Sequence, residues 1–459
     1  MRFENLNISL KPVSGNDITL QNLSLDSRKV QAGDFFLCLV GEKYDAHEFI
    51  PEVLLKKPAG IIVCKPIPDS DNTQVIHVED TLQFLQKLAY EKAKSLNAIR
   101  IAVTGTNGKT STKEFLRFLF QHAVENPSSV HATEKNLNNF YGVPYTILSA
   151  NQNTKVLICE AGMNRKGEIA VLSKIIQPHF AIITSIAEGH IGNFHSFQEI
   201  IEEKFSITKS LQGNLIIPPA LQSYAKDLFP AAIVVDNAFF QNQIQFNTIQ
   251  DHKKQGTELI YKGKRYLLPI LGKHQMQNFL LALATVKLAS EQYDFIRWNP
   301  EQLFLGMREF QPPAGRMIKK EMEKQITLWD DSYNANLNSF RAAIETLLAI
   351  TNKTESLAAI LGEMLELGKQ SKAMHEELGR IVRAAHFKPV LFEGSQEARE
   401  AFAKGYGNQH LFLVDIEEKD RESIFKAWKQ ELTLPAHVLL KASRGIKIES
   451  WLPFFNNEA

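Results

Sequence analysis

A glycine-rich turn between a predicted strand and a predicted helix is the clearest candidate for a chemical function. The strand covers 99–103, the turn is Thr104-Gly105-Thr106-Asn107-Gly108-Lys109-Thr110, and the helix covers 111–121. Backbone N–H groups in such a turn can point at phosphate oxygens, and the helix N-terminus favours an anion. Lys109 can neutralise phosphate charge, and the Thr110 hydroxyl can bind Mg²⁺. The segment predicts an ATP-binding loop of a shorter type, since Val103 stands where the standard pattern has glycine.

Three further polar residues are placed where they could hold metal ions. Glu160 ends the predicted strand 156–159, His190 follows the next strand, and Lys204 lies 14 residues beyond His190. A carboxylate and an imidazole at the carboxyl edge of a parallel sheet can hold divalent ions near phosphates. A cationic lysine cannot ligate a metal, but a lysine that has added CO₂ offers an anionic carbamate oxygen. From spacing alone, a solvated helical Lys204 and a loop His190 are the simpler interpretations.

Changes of pattern along the chain predict an α/β fold with three domains. Residues 1–97 form a small mixed α/β unit. Strands alternating with helices over 98–313 predict a mostly parallel sheet covered on both faces. The segment 311–315 contains Pro-Pro followed by Gly, which cannot continue a helix, so a second α/β unit begins at 314 and runs to 459. Strands are predicted at 34–40, 60–64, 180–184, 215–217, 233–235, 326–329, 357–361, 389–392, 411–414 and 437–440, a hairpin at 258–261 and 265–269, and helices at 82–96 and 276–292.

The composition excludes several classes of protein. The 459 residues include 52 Lys+Arg and 51 Asp+Glu. This balance argues against a bulk basic surface for nucleic acid or an anionic membrane, while leaving room for a local phosphate pocket. No apolar stretch reaches the ~20 residues that span a bilayer, and no signal peptide is visible, so we expect a cytoplasmic protein. Cys38, Cys64 and Cys159 are widely spaced, which indicates reduced, buried thiols.

Together these motifs resemble those of the Mur ligases, the ATP-dependent amide-forming ligases of peptidoglycan precursor synthesis. The resemblance starts from the phosphate loop with Glu160, His190 and Lys204 and covers nearly the whole chain. Further matching segments lie at 25–30, 33–36, 45–49, 136–139, 142–144, 272–274 with Asn278, Arg316, 331–336, 361–368 and 440–445.

Within the family, the segments 331–336 and 362–368 are most similar to the member that adds D-Ala-D-Ala to UDP-N-acetylmuramoyl-tripeptide (UDP-MurNAc-tripeptide). The Asn-Pro-Arg signature of the diaminopimelate-adding members is absent from the sequence. The resemblance implies a UDP-sugar-binding N-terminal domain, a central P-loop ATPase domain, and a Rossmann-like C-terminal domain. That last domain would close over the nucleotide and bind the dipeptide. The protein would be a monomer.

The resemblance also implies the reaction and the roles of individual residues. ATP would convert the tripeptide carboxylate into an acyl phosphate, which the amine of D-Ala-D-Ala then attacks, giving UDP-MurNAc-pentapeptide, ADP and phosphate. Lys109, Glu160, His190 and Lys204 would be catalytic. Thr110 and Glu160 would hold a first Mg²⁺, and His190 with carbamylated Lys204 a second. Asn278, Arg316 and Asp331 would contact ATP; the candidate substrate contacts are Ser27, Arg28, Asn138, Tyr333, Asn334, Asn336, Lys441 and Ser443.

Other interpretations of the same residues stay open. The chain could be a diaminopimelate- or lysine-adding Mur ligase, or a ligase like the folylpolyglutamate synthases, although those lack this kind of N-terminal domain. A P-loop small-molecule kinase and a nucleotide-regulated binding module are alternatives from other classes. Among single residues, Ser27 and Arg28 could form a capped turn with a surface arginine, and Asn334 and Asn336 also fit a turn. Cys159 is expected to pack in its strand, and His375 to be structural or solvated.

Overall fold

The fold was examined in a computed structural model, which describes residues 23–41, 44–67, 73–187, 191–251, 254–322, 325–352 and 354–456. His190 therefore lies outside the described residues. Near the N-terminus, four strands form a parallel sheet in the order β1-β2-β3-β4, flanked by two helices. These elements are β1 (Leu23–Ser24), β2 (Phe35–Leu37), α1 (Ile50–Leu54), β3 (Gly60–Val63), β4 (Gln74–His77) and α2 (Thr81–Ser95).

Six parallel strands form the central sheet, in the order β10-β9-β8-β5-β7-β6. The elements are β5 (Ile99–Thr104), α3 (Lys109–Ala123), β6 (Val130–Ala132), α4 (Gly142–Ser149), β7 (Val156–Glu160), α5 (Glu168–Ile176), β8 (Phe180–Ile183), α6 (Phe197–Phe205), β9 (Asn214–Ile217), α7 (Gln222–Leu228) and β10 (Ile233–Val234). An antiparallel sheet follows, made of β11 (Ile244–Asp251), β12 (Lys254–Tyr261) and β13 (Lys264–Leu268), and after it come α8 (Lys273–Ser290) and α9 (Pro300–Gly306).

Alternating side chains of β5 explain why helices cover both faces of the central sheet. Ile99, Ile101 and Val103 pack on one face, in a cluster that includes residues of α3 and α8. Ala102 packs on the other face, with residues of α2, α4 and α5. Because α2 also covers the first sheet, the N-terminal and central units share this second cluster. Burial of each large aliphatic side chain contributes about 1.5–3 kcal/mol, so β5 is firmly anchored.

The C-terminal unit contains a second six-stranded sheet, in the order β14-β15-β19-β16-β17-β18. Only β14 runs antiparallel to its neighbour among the described strands of this sheet. The elements are β14 (Ile318–Met322), β15 (Ile326–Asp330), α10 (Leu337–Ile350), β16 (Ser356–Gly362), α11 (Ser371–Ala384), β17 (Val390–Gly394), α12 (Gln396–Tyr406), β18 (Leu411–Asp415), α13 (Arg421–Gln430), β19 (Ala436–Lys441) and α14 (Pro453–Asn456).

These elements confirm the predicted α/β class, the parallel central sheet and the hairpin, with end points that differ by a few residues. The predicted strands at 34–40 and 233–235 are shorter than expected, since they correspond to β2 and β10. Five strands were not predicted: β1, β4, β6, β11 and β14. In the described part of the chain, no helix combines the length and apolar character needed to cross a membrane.

Candidate functional site

The phosphate loop connects β5 to α3 at the centre of the parallel sheet. Gly108 precedes the first residue of α3 with a φ of 84°, in the left-handed region that favours glycine. A Cβ atom on Gly108 would lie 2.5 Å from Oδ1 of Asn278 on α8, so the site also needs glycine for space. The loop can therefore turn tightly in front of α3.

Hydroxyl groups just after β8 fasten this loop. The Asn107 N–H donates to Ser185 Oγ at 2.9 Å, and the Thr184 hydroxyl donates to the Asn107 carbonyl at 2.5 Å. Thr106 exchanges two hydrogen bonds with the backbone of Ala187. The sequence prediction missed Thr184 and Ser185, although two hydroxyls directly after a strand of the same sheet were a usable signal. The loop is thus held in shape before any ligand binds.

Lys109 folds back over the loop. Its Nζ donates to the carbonyls of Gly105, at 2.7 Å, and Thr106, at 3.1 Å. Burial lowers the pKa of Lys109, and the nearby Arg316 guanidinium acts in the same direction while the Glu160 carboxylate opposes both. Among the described residues the ammonium group is held only by neutral carbonyls, so an anionic phosphate would be a suitable partner.

Glu160 ends β7 with one carboxylate oxygen unsatisfied. It is 1% exposed and pairs in register with Val103 of β5, immediately before the phosphate loop. Its Oε1 accepts from Asn138 Nδ2 at 2.8 Å, whereas Oε2 is buried without a hydrogen-bond partner. Thr110 lines the same cleft. An orphaned carboxylate oxygen near a hydroxyl suits a hard cation such as Mg²⁺, so these residues fit the predicted metal.

Lys204 on α6 is buried, at 2% exposure, so the solvated-helix interpretation is wrong. Glu203 explains this burial, because its two carboxylate oxygens accept from the N–H groups of Gly167 and Ile169, both at 2.7 Å, and thereby fix α6 against α5. Burial lowers the pKa of Lys204 well below its usual range, and the charge of Lys109 lowers it further. Among the described residues we find no acceptor for its Nζ and no cluster of three metal-ligating side chains.

The C-terminal wall of the cleft is built around a buried ion pair. Lys441 Nζ lies 2.5 Å from Asp331 Oδ2 and also donates to the carbonyl of Asn334 at 3.0 Å. The other oxygen of Asp331 accepts from the N–H of Met317 at 3.2 Å. Burial lowers the pKa of Lys441, against the opposing effect of Asp331. These two predicted site residues therefore neutralise each other inside the protein.

Arg316 and Tyr333 extend from this wall toward the phosphate loop. The guanidinium carbon of Arg316 lies 4.2 Å from the centre of the Tyr333 ring, a cation–π contact, and its Nε is buried without a hydrogen-bond partner. Both residues line the main cleft between the central and C-terminal units, which has a volume of about 720 Å³. Its lining also includes Thr106, Asn107, Gly108, Lys109, Thr110, Asn138, Glu160, Asn334 and Arg444.

A neighbouring cavity of about 300 Å³ also borders Arg316. Gln275 on α8 lines it, and the side chain of Gln275 accepts from Asn278 Nδ2 at 3.3 Å. Asn278 itself is 5% exposed and lies between Gly108 and Gln275 rather than on the cavity wall. Gln275, which the sequence prediction did not select, thus lines this cavity, whereas Asn278 does not.

Other predicted residues lie away from the cleft. Ser27 and Arg28 belong to a short 3-10 helix capped by Asp26, and the side chain of Arg28 is 83% exposed. Its ion pair with Asp26 lowers the pKa of that carboxyl to about 2. Ser443 is buried, where its hydroxyl accepts from the N–H of Leu365 at 2.9 Å. Ser27 and Arg28 thus match the capped-turn interpretation, and Ser443 supports a loop of the C-terminal unit.

Several residues outside the predicted site are also buried at or near it. Lys113 on α3 is 1% exposed, lines the main cleft and donates to the Thr133 carbonyl at 2.7 Å. His375 is fully buried and accepts from the N–H of Met364 at 2.9 Å, so it is structural and not solvated. Cys159 packs in β7 as expected, and burial raises the pKa of its thiol to about 12.

Fold and site together define a P-loop α/β protein in which a second α/β unit faces the phosphate loop across a cleft. Two family models together match most of this chain. The model of the Mur ligase middle domain matches residues 103–286, and that of the Mur ligase glutamate ligase domain matches residues 315–444. The chain belongs to the Mur ligase family.

Individual relatives are similar along almost the whole chain. A protein of Synechocystis sp. named UDP-N-acetylmuramoyl-tripeptide–D-alanyl-D-alanine ligase is 30% identical over 438 residues, which cover 94% of this chain and 90% of the relative. The Bacillus subtilis protein of the same name is 29% identical over 437 residues, covering 94% and 92%. The crystal structure of the MurF ligase from Thermotoga maritima in complex with ADP superimposes with a TM-score of 0.80 at 26% identity, covering 96% of this chain and 98% of that one.

Proposed function

We propose that this protein is an ATP-dependent ligase that joins D-Ala-D-Ala to UDP-MurNAc-tripeptide. The observation that carries the proposal is the cleft, with the phosphate loop and the unpartnered Glu160 oxygen on one wall and Arg316 on the other. The relatives named for this reaction support the choice of substrates, since their similarity spans at least 90% of both chains in the two cases described.

The first step would be transfer of the γ-phosphoryl group of ATP to the terminal carboxylate of the tripeptide. The carboxylate oxygen forms the new bond to phosphorus, and ADP leaves. Such transfer depends mainly on positioning and on neutralising charge. Lys109 and the N–H groups of the loop would hold phosphates, and Arg316 would add positive charge from the opposite wall.

The second step would be attack by the free amine of D-Ala-D-Ala on the acyl phosphate. The new C–N bond forms, inorganic phosphate leaves with its electron pair, and the ammonium loses a proton. Closure of the C-terminal unit over the cleft would keep water away from the acyl phosphate. Mg²⁺, when bound, would neutralise phosphate charge, with Thr110 and Glu160 as its protein ligands near ATP.

Lys204 has the surroundings that carbamate formation requires. Its lowered pKa leaves more of the amine neutral, and only a neutral amine adds CO₂. In that addition the nitrogen bonds to carbon, the amine loses a proton to solvent, and an anionic oxygen results. The carbamate would bind a second Mg²⁺ together with His190. This would also give the buried Lys204 the function that a cationic side chain could not have.

The test is phosphate release by the purified protein with ATP and UDP-MurNAc-tripeptide, with and without D-Ala-D-Ala, and with product mass measured in parallel. We expect phosphate release and a pentapeptide product only when the dipeptide is present. Product formation from UDP-MurNAc-dipeptide with diaminopimelate or lysine would instead indicate another Mur ligase. A phosphorylated product that needs no amine would indicate a kinase, and ATP binding without any turnover would indicate a binding module.

The role of Lys204 is tested by comparing two lysines of the central unit. Lys204→Ala should abolish activity, and added bicarbonate should not restore it. Lys174→Ala removes a lysine on the exposed side of α5 and should leave activity unchanged. In ¹³C-bicarbonate, a carbamate carbon resonance should be present in the wild-type protein and missing from Lys204→Ala. Full activity in Lys204→Ala would exclude Lys204 from the site.

A further inference from the structure

Two asparagines join the phosphate loop to the C-terminal unit. Asn107 Nδ2 donates to Asn336 Oδ1 at 3.1 Å, and Asn336 Nδ2 donates to Asn107 Oδ1 at 2.7 Å. The residues are 229 positions apart in the sequence, so only the contact between the two units brings them together. Each amide gives one donor and one acceptor to this Asn107–Asn336 pair.

Both asparagines are held firmly within their own units. The backbone of Asn107 is fixed by Thr184 and Ser185, as described above. Asn336 caps α10, because its Oδ1 accepts from the N–H of Ser339 at 2.9 Å and its own N–H donates to Ser339 Oγ at 3.0 Å. Neither side chain can follow the other if the units separate, so the pair must break when the cleft opens.

The pair also lies between two spaces. Asn107 lines the main cleft, whereas Asn336 lines a separate cavity of about 350 Å³ between the central and C-terminal units, beside Ile186 and Met374. The paired amide of Asn107 is turned toward the C-terminal unit, while the backbone N–H of Asn107 is held by Ser185. A change in the loop would therefore be transmitted directly to the start of α10.

We infer that Asn336 is a positioning residue for the phosphate loop: the Asn107–Asn336 pair forms on closure and holds the loop in the shape that binds phosphate. The contact thereby makes closure and nucleotide binding favour each other, as reciprocal coupling requires. The inference rests on the proposed function only for its kinetic test, because closure can be measured without turnover.

The variant Asn336→Ser separates this role from helix capping. Serine is also a preferred N-cap residue, but it lacks the amide that reaches Asn107. The matched control is Asp420→Ser, at the N-cap of α13, where the carboxylate accepts from the N–H of Ser423 at 3.3 Å. Asn336→Asp gives an intermediate case, since a carboxylate can accept from Asn107 Nδ2 but cannot donate to Oδ1.

The first measurement is the distance between spin labels placed at Lys166→Cys and Lys404→Cys in a Cys64→Ser background, with a non-hydrolysable ATP analogue and Mg²⁺. The side chains of Lys166 and Lys404 are 64% and 66% exposed, on the central and C-terminal units. We expect Asn336→Ser to lower the ratio of closed to open molecules about tenfold, as the loss of two neutral hydrogen bonds implies. Asn336→Asp should fall between it and the wild type, and Asp420→Ser should match the wild type.

The second measurement is a double-mutant cycle in kcat/KM for ATP, with Asn107→Ser, Asn336→Ser and the double variant. We expect each single variant to lose about tenfold and the double variant to lose little more, since both changes break the same pair. A wild-type distance distribution in Asn336→Ser would overturn the inference, as would losses that multiply in the double variant. If the wild-type protein showed no ligase activity, the proposed function would fail while the distance measurement still decided the role of Asn336.

Discussion

The two walls of the main cleft differ in whether their charged groups have partners within the protein. On the central wall, and within the part of the chain that the structure describes, Glu160 keeps one buried oxygen without a partner and the Lys109 ammonium is held only by carbonyls. On the C-terminal wall, two carboxylates have partners within the protein. Asp331 pairs with Lys441, and the carboxylate of Asp330 accepts from Lys320 at 2.7 Å and from the Ser332 hydroxyl.

This difference suggests that the central wall binds the ligand and that the C-terminal wall covers it. A buried group without a partner costs free energy, so the central wall is less stable than it could be until a ligand supplies the missing charges. On the C-terminal wall the carboxylates of Asp330 and Asp331 already have partners, so this part of the wall can act as a rigid cover. Arg316 and Glu449 are exceptions on that wall, since among the described residues Arg316 Nε and Glu449 Oε2 are buried without a hydrogen-bond partner, and both residues line the cleft that Lys109 lines.

The largest effect that distinguishes the walls is expected for Glu160→Gln. The amide keeps the shape of the side chain but removes the charge that would hold Mg²⁺, so turnover should fall about 10²–10³-fold, as for the loss of other electrostatic groups in active sites. The free energy of unfolding should stay the same or rise, because an unpartnered buried charge disappears. Phosphate release and urea denaturation measure the two quantities.

Glu202→Gln, at an exposed position of α6, is the control for Glu160→Gln and should change neither quantity. A variant Glu160→Gln that kept wild-type turnover would contradict a metal-binding role. One that lost several kcal/mol of stability would show that the central wall already satisfies this carboxylate.

The opposite result is expected for Asp331→Asn on the C-terminal wall. Removal of the Asp331 charge leaves Lys441 buried without a counter-charge. This should lower the free energy of unfolding by about 3–5 kcal/mol. Tryptophan fluorescence during denaturation can measure this, because Trp329, Trp428 and Trp451 are three of the four tryptophans and all belong to the C-terminal unit.

The control for Asp331→Asn is Asp415→Asn, which removes a partly exposed ion pair with Arg399 at 2.8 Å. Exposed pairs contribute at most about 1 kcal/mol, so this variant should unfold almost like the wild type. Equal losses in Asp331→Asn and Asp415→Asn would mean that the buried pair is not what stabilises the C-terminal wall.

The two walls also differ in how far the sequence revealed them. The strand, glycine turn and Gly-Lys-Thr of the phosphate loop are local, so the sequence was enough to predict β5, α3 and the tight turn between them. The pair of Asp331 with Lys441 depends on residues 110 positions apart, and no local pattern contains it. Short strands such as β1 and β14 form because a neighbouring strand pairs with them, which composition alone does not show.

The burial of Lys204 was missed for a related reason. The sequence of α6 is Phe-Gln-Glu-Ile-Ile-Glu-Glu-Lys-Phe, in which the acidic residues suggest a solvated face. Glu203, however, is buried against the start of α5, and this contact, which links segments more than 30 positions apart, takes Lys204 inside with it. From spacing alone the solvated interpretation was the simpler one, and the resemblance to the family favoured a metal-binding role for Lys204.

At the boundary between the walls, we expect His274 on α8 to make the stability of the protein depend on pH. Burial lowers the pKa of His274 to about 4, with Lys441 and Arg316 lowering it and Asp331 raising it. Between pH 6.5 and 4 the unfolded chain therefore binds a proton that the folded protein does not, so stability falls as the pH falls through this window. The loss from this residue should reach at most about 3 kcal/mol.

Denaturation curves of the wild type and His274→Gln at several pH values can isolate this contribution. The stability of the variant should fall less steeply below pH 6.5, while the two proteins should run parallel between pH 7 and 8. An identical slope below pH 6.5 would mean that His274 is accessible to protons in the folded protein, and therefore that the boundary between the walls is open there.

The smallest effect on turnover is expected at a backbone hydrogen bond between the central and C-terminal units. The N–H of Gly192, two positions after His190 in the sequence, donates to the carbonyl of Glu366 at 3.2 Å. A Cβ on Gly192 would lie 2.9 Å from that oxygen. Gly192→Ala should therefore force the walls slightly apart and lower turnover about three- to tenfold, within the usual cost of overpacking a contact. Asn193→Ala, at the next exposed position, should leave turnover unchanged. We expect this cost to fall on closure of the cleft, so the free energy of unfolding should stay constant in both variants; a loss of stability in Gly192→Ala without a loss of turnover would show that this contact supports the fold rather than closure of the cleft.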